Sequence, residues 1–502
     1  MTNHTIHSAS EVKNLINGEF RPADTDQYED VYNPSTGQVI AQVPLSGAAD
    51  VGKVVHSARD ALTAWSATPV IDRARLMFRY RELLEQNFDD VARVITQEHG
   101  KTITESRAEL RRGIEVVEFA CGIPSLFMGR SLNNIVTDVD ADVSRHPVGI
   151  CVGITPYNFP AMVPMWMFPI ALVCGNTFIL KPSEKTPLTA VRLGEVLHDA
   201  GCPPGVFNIV HGGRDCVDGL IGHPEVDALS FVGSTTAAKA VYTRGTACGK
   251  RVQAAGGAKN YCIVMPDADS EIAVKAVAAA SFGCGGQRCM ATSVAVPVGE
   301  IADRLVDRLS EHAESLTVGP TDTLGNVDLG PLIRRHQVER VESYLKVADS
   351  EGATVVLDGR RDVSGDGFFL GPCIVDRVAA EMTVAKEEVF GPLLSVIRTA
   401  TLDEAIELSR SCEYGNGASI FTRDGYAARK FRDNFNAGMI GINVGVPAPM
   451  AWFPFTGWNG SFFGDLHVQG MEGVQFYTRQ QVTMTRWMRT TGDSHHDPVW
   501  RT

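Results

Sequence analysis

The chain has 502 residues, of which 44% are hydrophobic and 21% charged, with a formal net charge of −13. That length exceeds one ordinary core and predicts two or three domains of a globular protein. The acidic balance argues against nucleic acid or an anionic membrane as a partner, so an anionic cofactor would have to be held by local positive groups.

Eleven cysteines, including Cys121, Cys151, Cys174 and Cys202, are scattered without metal-ligand spacing. An odd number without a framework suits free thiols in a reducing compartment. The N-terminus carries neither a basic, apolar signal nor an Arg-rich presequence. The longest uncharged run, 147–180, is broken by Pro156, Pro160, Pro164 and Pro169. It reads as buried strand, loop and core helix rather than a membrane span. A cytoplasmic protein is expected.

In chain order, the first hundred residues mix turn signals (Asn33-Pro34-Ser35-Thr36-Gly37) with helical patterns such as 73–88. A long amphipathic pattern over 102–119 carries Arg107, Arg111 and Arg112. From 133 to 145 the pattern becomes alternating (Ile135, Thr137, Val139, Ala141, Val143), which predicts a strand or hairpin arm. Between 149 and 257, short apolar strands at 149–154, 177–180, 206–210, 228–232 and 252–255 alternate with helices at 189–200, 215–221 and 235–247. This βαβ rhythm predicts a parallel, doubly wound sheet, the usual platform for a dinucleotide, although the G-x-G-x-x-G fingerprint is missing.

A second α/β region spans 258–438, with helices at 273–280, 302–315 and 337–350 and strands at 393–398 and 418–422. The tail from 473 to 487 alternates again (Val474, Phe476, Tyr477, Val482, Met484). Together with 133–145 it is expected to form a small sheet outside both domains. Its open edges predict a homo-oligomer.

The chemistry gathers at Ser281-Phe282-Gly283-Cys284-Gly285-Gly286-Gln287-Arg288-Cys289-Met290. Glycines let backbone N–H groups approach a ligand. A thiol beside them has a nucleophile and the donors for the oxyanion it creates. Cys289 is the candidate nucleophile; the competing reading is a small buried hydrophobe.

Six motifs then carry a resemblance: Thr155-Pro156-Tyr157-Asn158-Phe159-Pro160, Lys181-Pro182-Ser183-Glu184, Phe231-Val232-Gly233-Ser234-Thr235, Ala255-Gly256-Gly257-Ala258-Lys259, Gly286-Gln287-Arg288-Cys289-Met290 and Glu387-Glu388-Val389-Phe390-Gly391-Pro392. With these in order, the chain resembles the aldehyde dehydrogenases over nearly its whole length. Within that superfamily it is similar to the CoA-acylating methylmalonate-semialdehyde (malonate-semialdehyde) dehydrogenases.

The resemblance implies an aldehyde-dehydrogenase-like α/β fold: a Rossmann-type NAD-binding domain (1–129 and 150–257), a catalytic thiol domain (258–440), a return segment (441–472), and oligomerisation strands and tail (130–149 and 473–502). It implies Cys289 as nucleophile, with Asn158 and the Cys289 backbone N–H holding the substrate oxygen. A turn residue before Pro160 is the plain alternative for Asn158. Lys181 and Glu184 are implied at the adenosine ribose, with Lys185 assisting. Ser234, opening a helix, suits a pyrophosphate. Thr155, Tyr157 and Gly256 lie in segments that line the dinucleotide in relatives. Glu388 is favoured over Glu387 as the nicotinamide-ribose ligand, and both stay open. Glu184 favours NAD over NADP, because its charge should repel a 2′-phosphate.

One departure sets the expected reaction. Hydrolytic aldehyde dehydrogenases carry a Glu 34 residues before the nucleophile, and this chain has Ala255 there. A general base is worth ~10²–10⁴ in rate, so hydrolysis should be slow and the thioester should wait for a thiol such as CoA, which attacks as thiolate. Arg288 and Arg112 resemble the positions that recognise a substrate carboxylate, which guanidinium groups bind in a bidentate fork. Arg112 could instead be a solvated helix residue pairing with Glu109 or Glu115, and Arg111 would then be the next candidate.

The expected activity is NAD-dependent, CoA-acylating oxidative decarboxylation of methylmalonate or malonate semialdehyde by a homotetramer. A hydrolytic dehydrogenase of another small aldehyde, or a non-catalytic oligomeric ligand-binding protein, are the alternatives. Cys284 is expected to pack, and His211, His495 and His496 to be structural or solvated rather than metal ligands. No metal is expected. The CoA pocket has no readable motif.

Overall fold

A computed structural model describes residues 10–322, 327–360 and 366–488. The pair His495–His496 and the tail beyond 488 lie outside the described residues. Two large sheets organise the chain. The first has eight strands in the order Phe462–Phe463, Arg251–Ala255, Ala228–Val232, Ile150–Ile154, Thr177–Lys181, Phe207–Ile209, Asn14–Ile16 and Glu19–Arg21. Its five central strands pair in parallel, and the flanking strands join antiparallel. Runs such as Ile150–Ile154 and Thr177–Lys181 are buried throughout, the continuous apolar reading of a sheet covered on both faces.

The order reverses between Ile150–Ile154 and Ala228–Val232: strands after the first add on one side, strands after the second on the other. A crevice opens outside the carboxyl ends at such a switch point. The two loops leaving it begin at Thr155 and at Gly233, so the segments carrying Asn158 and Ser234 start side by side.

The second sheet has seven strands, ordered Thr354–Leu357, Cys373–Asp376, Leu393–Val396, Thr292–Pro297, Asn260–Val264, Gly417–Phe421 and Met439–Ile442. All its pairings are parallel except that of the Thr354–Leu357 edge. Cys289 lies on the approach to its Thr292–Pro297 strand.

The hairpin arm forms as expected, from Arg130–Val136 and Val139–Pro147, turning at Asp138 with φ 62°. Thr478–Arg486 pairs antiparallel with Val139–Pro147, completing a three-stranded sheet. The tail departs from its expected pattern in one place. Gly470–Phe476 is a helix, and the strand starts only at Thr478. Val474, Phe476 and Tyr477 are all buried, so this stretch turns into the body of the molecule instead of alternating. Among the described residues, no helix is long and apolar enough to cross a membrane.

Candidate active site

Cys289 is reached through a strained turn. The helix Ser270–Phe282 ends, and Cys284, Gly285 and Gly286 follow with φ of 53°, 63° and 68°. A Cβ on Gly286 would sit 2.1 Å from the Gly391 carbonyl oxygen, so only glycine lets the Glu387–Pro392 motif close over this turn. Two asparagines hold the nucleophile's backbone: Asn260 Nδ2 donates to the Cys289 carbonyl at 2.8 Å and Asn416 Nδ2 at 3.0 Å. Neither residue is singled out by the sequence reading. An Asn opening a buried strand (Asn260–Val264) was the available signal, since a buried amide needs partners.

Asn158 comes to the same turn from the other sheet. It is buried, and its Nδ2 donates to the Gln287 carbonyl at 2.9 Å. Gln287 is itself locked, its Nε2 donating to the Cys284 carbonyl at 3.2 Å and its Oε1 accepting from the Ile333 N–H at 3.1 Å. The Asn158 amide thus reaches the turn at Gln287, two residues before Cys289.

Burial pushes the Cys289 thiol up to about 12, and the Glu388 carboxylate adds to the rise against backbone N–H groups and Arg288. Glu388 is itself raised to about 7 by burial, against a bond from the Ala258 N–H and the charge of Lys259. Its neighbour differs. Glu387 is exposed and accepts from the Tyr344 hydroxyl at 2.5 Å, so Glu388 is the member of the pair turned toward the thiol.

A cleft of about 310 Å³ opens beside the sulfur. Phe159, Trp166 and Phe455 supply apolar walls, while Glu105, Arg112 and Arg288 supply charge. Both expected arginines are therefore present, but each is already engaged. Arg288 Nη2 lies 3.0 Å from Glu105 Oε1. Arg112 Nη1 lies 2.9 Å from Glu115 Oε2, and its Nη2 donates to the Ala448 and Pro449 carbonyls. The plain reading of Arg112 as a Glu115 partner is correct as far as it goes, and the side chain lines the cleft as well. Arg111 pairs with Glu85 and stacks on Phe88, away from the cleft lining.

Glu105 and Glu109 are cleft-lining residues that the sequence reading did not pick. They stand four apart on the helix Ile103–Cys121, with Arg112 three further on, so all three share one face. Cys284 donates its backbone N–H to Glu105 at 2.6 Å and lines the cleft, so it is more than packing.

At the switch point, Lys181 Nζ lies 3.4 Å from Glu184 Oε2. Burial pushes Glu184 up, but Lys181, a backbone N–H and Lys185 outweigh it and hold it below the usual carboxylate range. Lys185 Nζ rests 4.8 Å from the centre of the Tyr157 ring, which meets Phe390 edge-on at 5.9 Å. Ser234 caps the helix Thr235–Ala247, accepting from the Ala237 N–H at 3.4 Å, and is exposed. Thr155 is buried, with its N–H on the Lys181 carbonyl at 3.1 Å. Gly256 lies tight against the Gly460 carbonyl and Thr235, where a Cβ would come within 2.7 Å and 2.9 Å. Ala255, the last residue of its strand, is buried in the same apolar cluster as Met290 and Phe462.

Residues 20–483 match the sequence profile described as the aldehyde dehydrogenase family. The chain belongs to the aldehyde dehydrogenase family.

This aldehyde dehydrogenase is 51% identical over 478 residues to malonate-semialdehyde dehydrogenase 1 of Geobacillus thermodenitrificans, covering 95% of this chain and 99% of the relative. It is 50% identical over 483 residues to malonate-semialdehyde dehydrogenase of Halalkalibacterium halodurans, covering 96% and 99%. Among solved structures, it superposes on methylmalonate-semialdehyde dehydrogenase of Oceanimonas doudoroffii with a TM-score of 0.94 at 45% identity, over 96% of this chain and 99% of that one. A protein of Sinorhizobium meliloti 1021, assigned as a methylmalonate-semialdehyde dehydrogenase and complexed with NAD, gives a TM-score of 0.95 at 43% identity over 97% and 100%. The α/β architecture expected of this aldehyde dehydrogenase from its motifs is thus the observed one.

Proposed function

We propose that the protein is an NAD-dependent, CoA-acylating dehydrogenase of malonate or methylmalonate semialdehyde, working through a thioester on Cys289. The observation that carries the proposal is Ala255. Where a hydrolytic relative would present a carboxylate, this chain has a buried methyl group at the end of a strand, paired in register with Phe462.

The residues at the switch point fit NAD. Glu184, kept charged beside Lys181, suits the two hydroxyls of a ribose and opposes a 2′-phosphate. The exposed start of the Thr235–Ala247 helix at Ser234 suits a pyrophosphate. We assign Lys181, Glu184 and Lys185 to the adenosine side. Thr155, Tyr157, Ser234 and Gly256 go to the walls, and Glu388 to the nicotinamide ribose in preference to Glu387. When bound there, NAD supplies the acceptor for the hydride lost by the substrate carbon.

The chain's own groups do the rest. The Cys289 thiol gives up its proton to solvent and its sulfur adds to the aldehyde carbon, and the Asn158 amide with the Cys289 N–H holds the oxygen that becomes negative. Loss of hydride leaves a thioester on sulfur with a carboxylate on the adjacent carbon. Breaking the carbon–carboxylate bond releases CO₂ and leaves an enolate on the oxygen that the same donors hold. Protonation gives propionyl or acetyl thioester, and the CoA thiolate displaces Cys289. Arg112 and Arg288 receive the substrate carboxylate. The small sheet has mostly polar strands but exposes Leu132, Val482 and Met484, and these apolar side chains support a homotetramer.

The test is product formation from malonate semialdehyde and NAD⁺, with CoA supplied or withheld. Acetyl-CoA and sustained NADH release only with CoA are expected; full steady-state NADH release without CoA overturns the reading. The coupling of Glu388 to the Cys289 thiol favours one second reading, slow hydrolysis with Glu388 as base. In that case CoA-free turnover disappears in Glu388→Gln.

A further inference from the structure

Behind Asn158 lies an ion pair with no part in the chemistry above. Lys101 Nζ and Glu109 Oε2 are 2.6 Å apart, and both side chains are 0% exposed. Removing two charges from water is costly, and apolar residues of similar volume usually serve stability as well or better. The bonds this pair makes indicate a different use. Lys101 Nζ also donates to the Asn158 backbone carbonyl at 2.6 Å and lies 4.2 Å from the centre of the Phe159 ring. The second oxygen of Glu109 accepts from the N–H groups of Ala161 at 2.8 Å and Met162 at 3.1 Å. These N–H groups open the helix Met162–Val173, where an acceptor is needed and a negative charge is favoured.

The pair therefore grips both ends of one short segment, the Asn158 carbonyl and the helix start at Ala161 and Met162. It does so from the helix Ile103–Cys121 and the residue just before its N-cap Thr102. From the same helix, Glu105 holds the Cys284 N–H and Arg288 on the nucleophile's side. One helix thus sets the distance between the segment carrying Asn158 and the turn carrying Cys289.

We propose that Lys101 and Glu109 are positioning residues for the Asn158 amide, fixing its segment so that one Nδ2 hydrogen stays on the Gln287 carbonyl and the second faces the oxygen bound at Cys289. The proposal rests on the reading of Asn158 as the oxyanion donor. Because Glu109 neutralises Lys101, the device works through geometry rather than through field. A displacement of about 1 Å at such a donor costs ~10²-fold in rate.

The experiment uses the full-length enzyme and the double variant Lys101→Met/Glu109→Gln, which removes the pair without leaving a lone charge buried. The readouts are the pre-steady-state burst of NADH on malonate semialdehyde, KM and NAD⁺ affinity, each in the parent and in Asn158→Ala. Expected in the parent background is a burst slowed by roughly 10–100-fold, with KM and NAD⁺ affinity moved by less than about threefold. Expected in Asn158→Ala is at most about a twofold further loss, because the group being positioned is gone.

A parent burst within about twofold of wild type, or penalties that multiply in Asn158→Ala, overturns the proposal while leaving the Asn158 reading standing. A wild-type burst in Asn158→Ala alone overturns both. Glu109→Asp, which keeps both charges and shortens the reach, answers the same question should the double variant fail to fold: a slowed burst that disappears in Asn158→Ala supports the proposal, and independence from Asn158 overturns it.

Discussion

Arg288 and Glu105 form an ion pair, Nη2 to Oε1 at 3.0 Å, on the wall of the cleft that contains Cys289. A substrate carboxylate arriving at Arg288 competes with a carboxylate already there. Glu105 is held by further donors, the N–H groups of Cys284 and Thr102 and the Thr102 hydroxyl, so it does not swing away. Glu105→Gln keeps an acceptor for these donors and removes the competing charge. KM for malonate semialdehyde is expected to fall by about fivefold, the equivalent of roughly 1 kcal/mol for one partly exposed ion pair. KM for propanal, which lacks the carboxylate, is expected to stay unchanged. A parallel fall for both aldehydes would show that the effect is not charge competition.

Arg112 sits differently. Its bonds to the Ala448 and Pro449 carbonyls tie it to the loop after the second sheet, and among the described residues only Glu115 opposes its charge within ion-pair distance. Arg112→Leu is expected to raise KM for the carboxylated aldehyde by about tenfold or more, with kcat little changed, the signature of lost ground-state binding. Steady-state kinetics on malonate semialdehyde and propanal check it, since propanal should be spared.

The Cys289 thiol rests protonated at neutral pH, because burial and then Glu388 push it up to about 12. In the cofactor-free enzyme, iodoacetamide labelling of Cys289 is expected to rise about tenfold per pH unit through the neutral and mildly alkaline range, without a plateau. Removing the Glu388 charge lowers the thiol pKa, so Glu388→Gln is expected to label several-fold faster at the same pH. Equal rates in the two proteins would show that Glu388 is not felt at the sulfur.

Glu98 supplies a pH dependence of folding. It is buried and accepts from the N–H groups of Leu188 and Thr189 and from the Thr189 hydroxyl, capping the helix Leu188–Asp199 that follows the Lys181–Lys185 loop. Burial raises it to about 7 despite those bonds. A carboxylate raised on folding contributes stability that is complete below its unfolded value near 4.5 and is lost as pH climbs through 7. Relative to Glu98→Gln, the wild type is expected to lose about 2–3 kcal/mol of unfolding free energy between about pH 5 and pH 8. Urea unfolding of both proteins across that range measures it, and parallel curves would contradict the assignment.

What the residues alone conveyed is clearest at the βαβ stretch. Continuous apolar runs such as Ile150–Ile154 and a helix opened by Ser234 are local patterns, set by hydrophobic period and capping chemistry. The tail shows where that logic stops. Val474 and Phe476 alternate on paper, yet Gly470–Phe476 coils because its apolar side faces the buried helix Met162–Val173. The choice between Glu387 and Glu388 was open for a related reason. Adjacent residues in an extended segment point opposite ways, and only the packed neighbours, Tyr344 on one side and Ala258 on the other, say which side faces the thiol.

The sequence by itself determined the family, the parallel sheet, the thiol at 289 and the missing carboxylate at 255, since each is written in residue type and spacing along the chain. The tertiary structure alone decided that Arg288 arrives already paired with Glu105, that Asn260 and Asn416 brace the nucleophile, and that Lys101 and Glu109 stand buried behind Asn158. Those contacts join residues from separate elements, many of them far apart in number. A charge pattern read along one strand or helix cannot tell which distant partner will neutralise it once water is excluded.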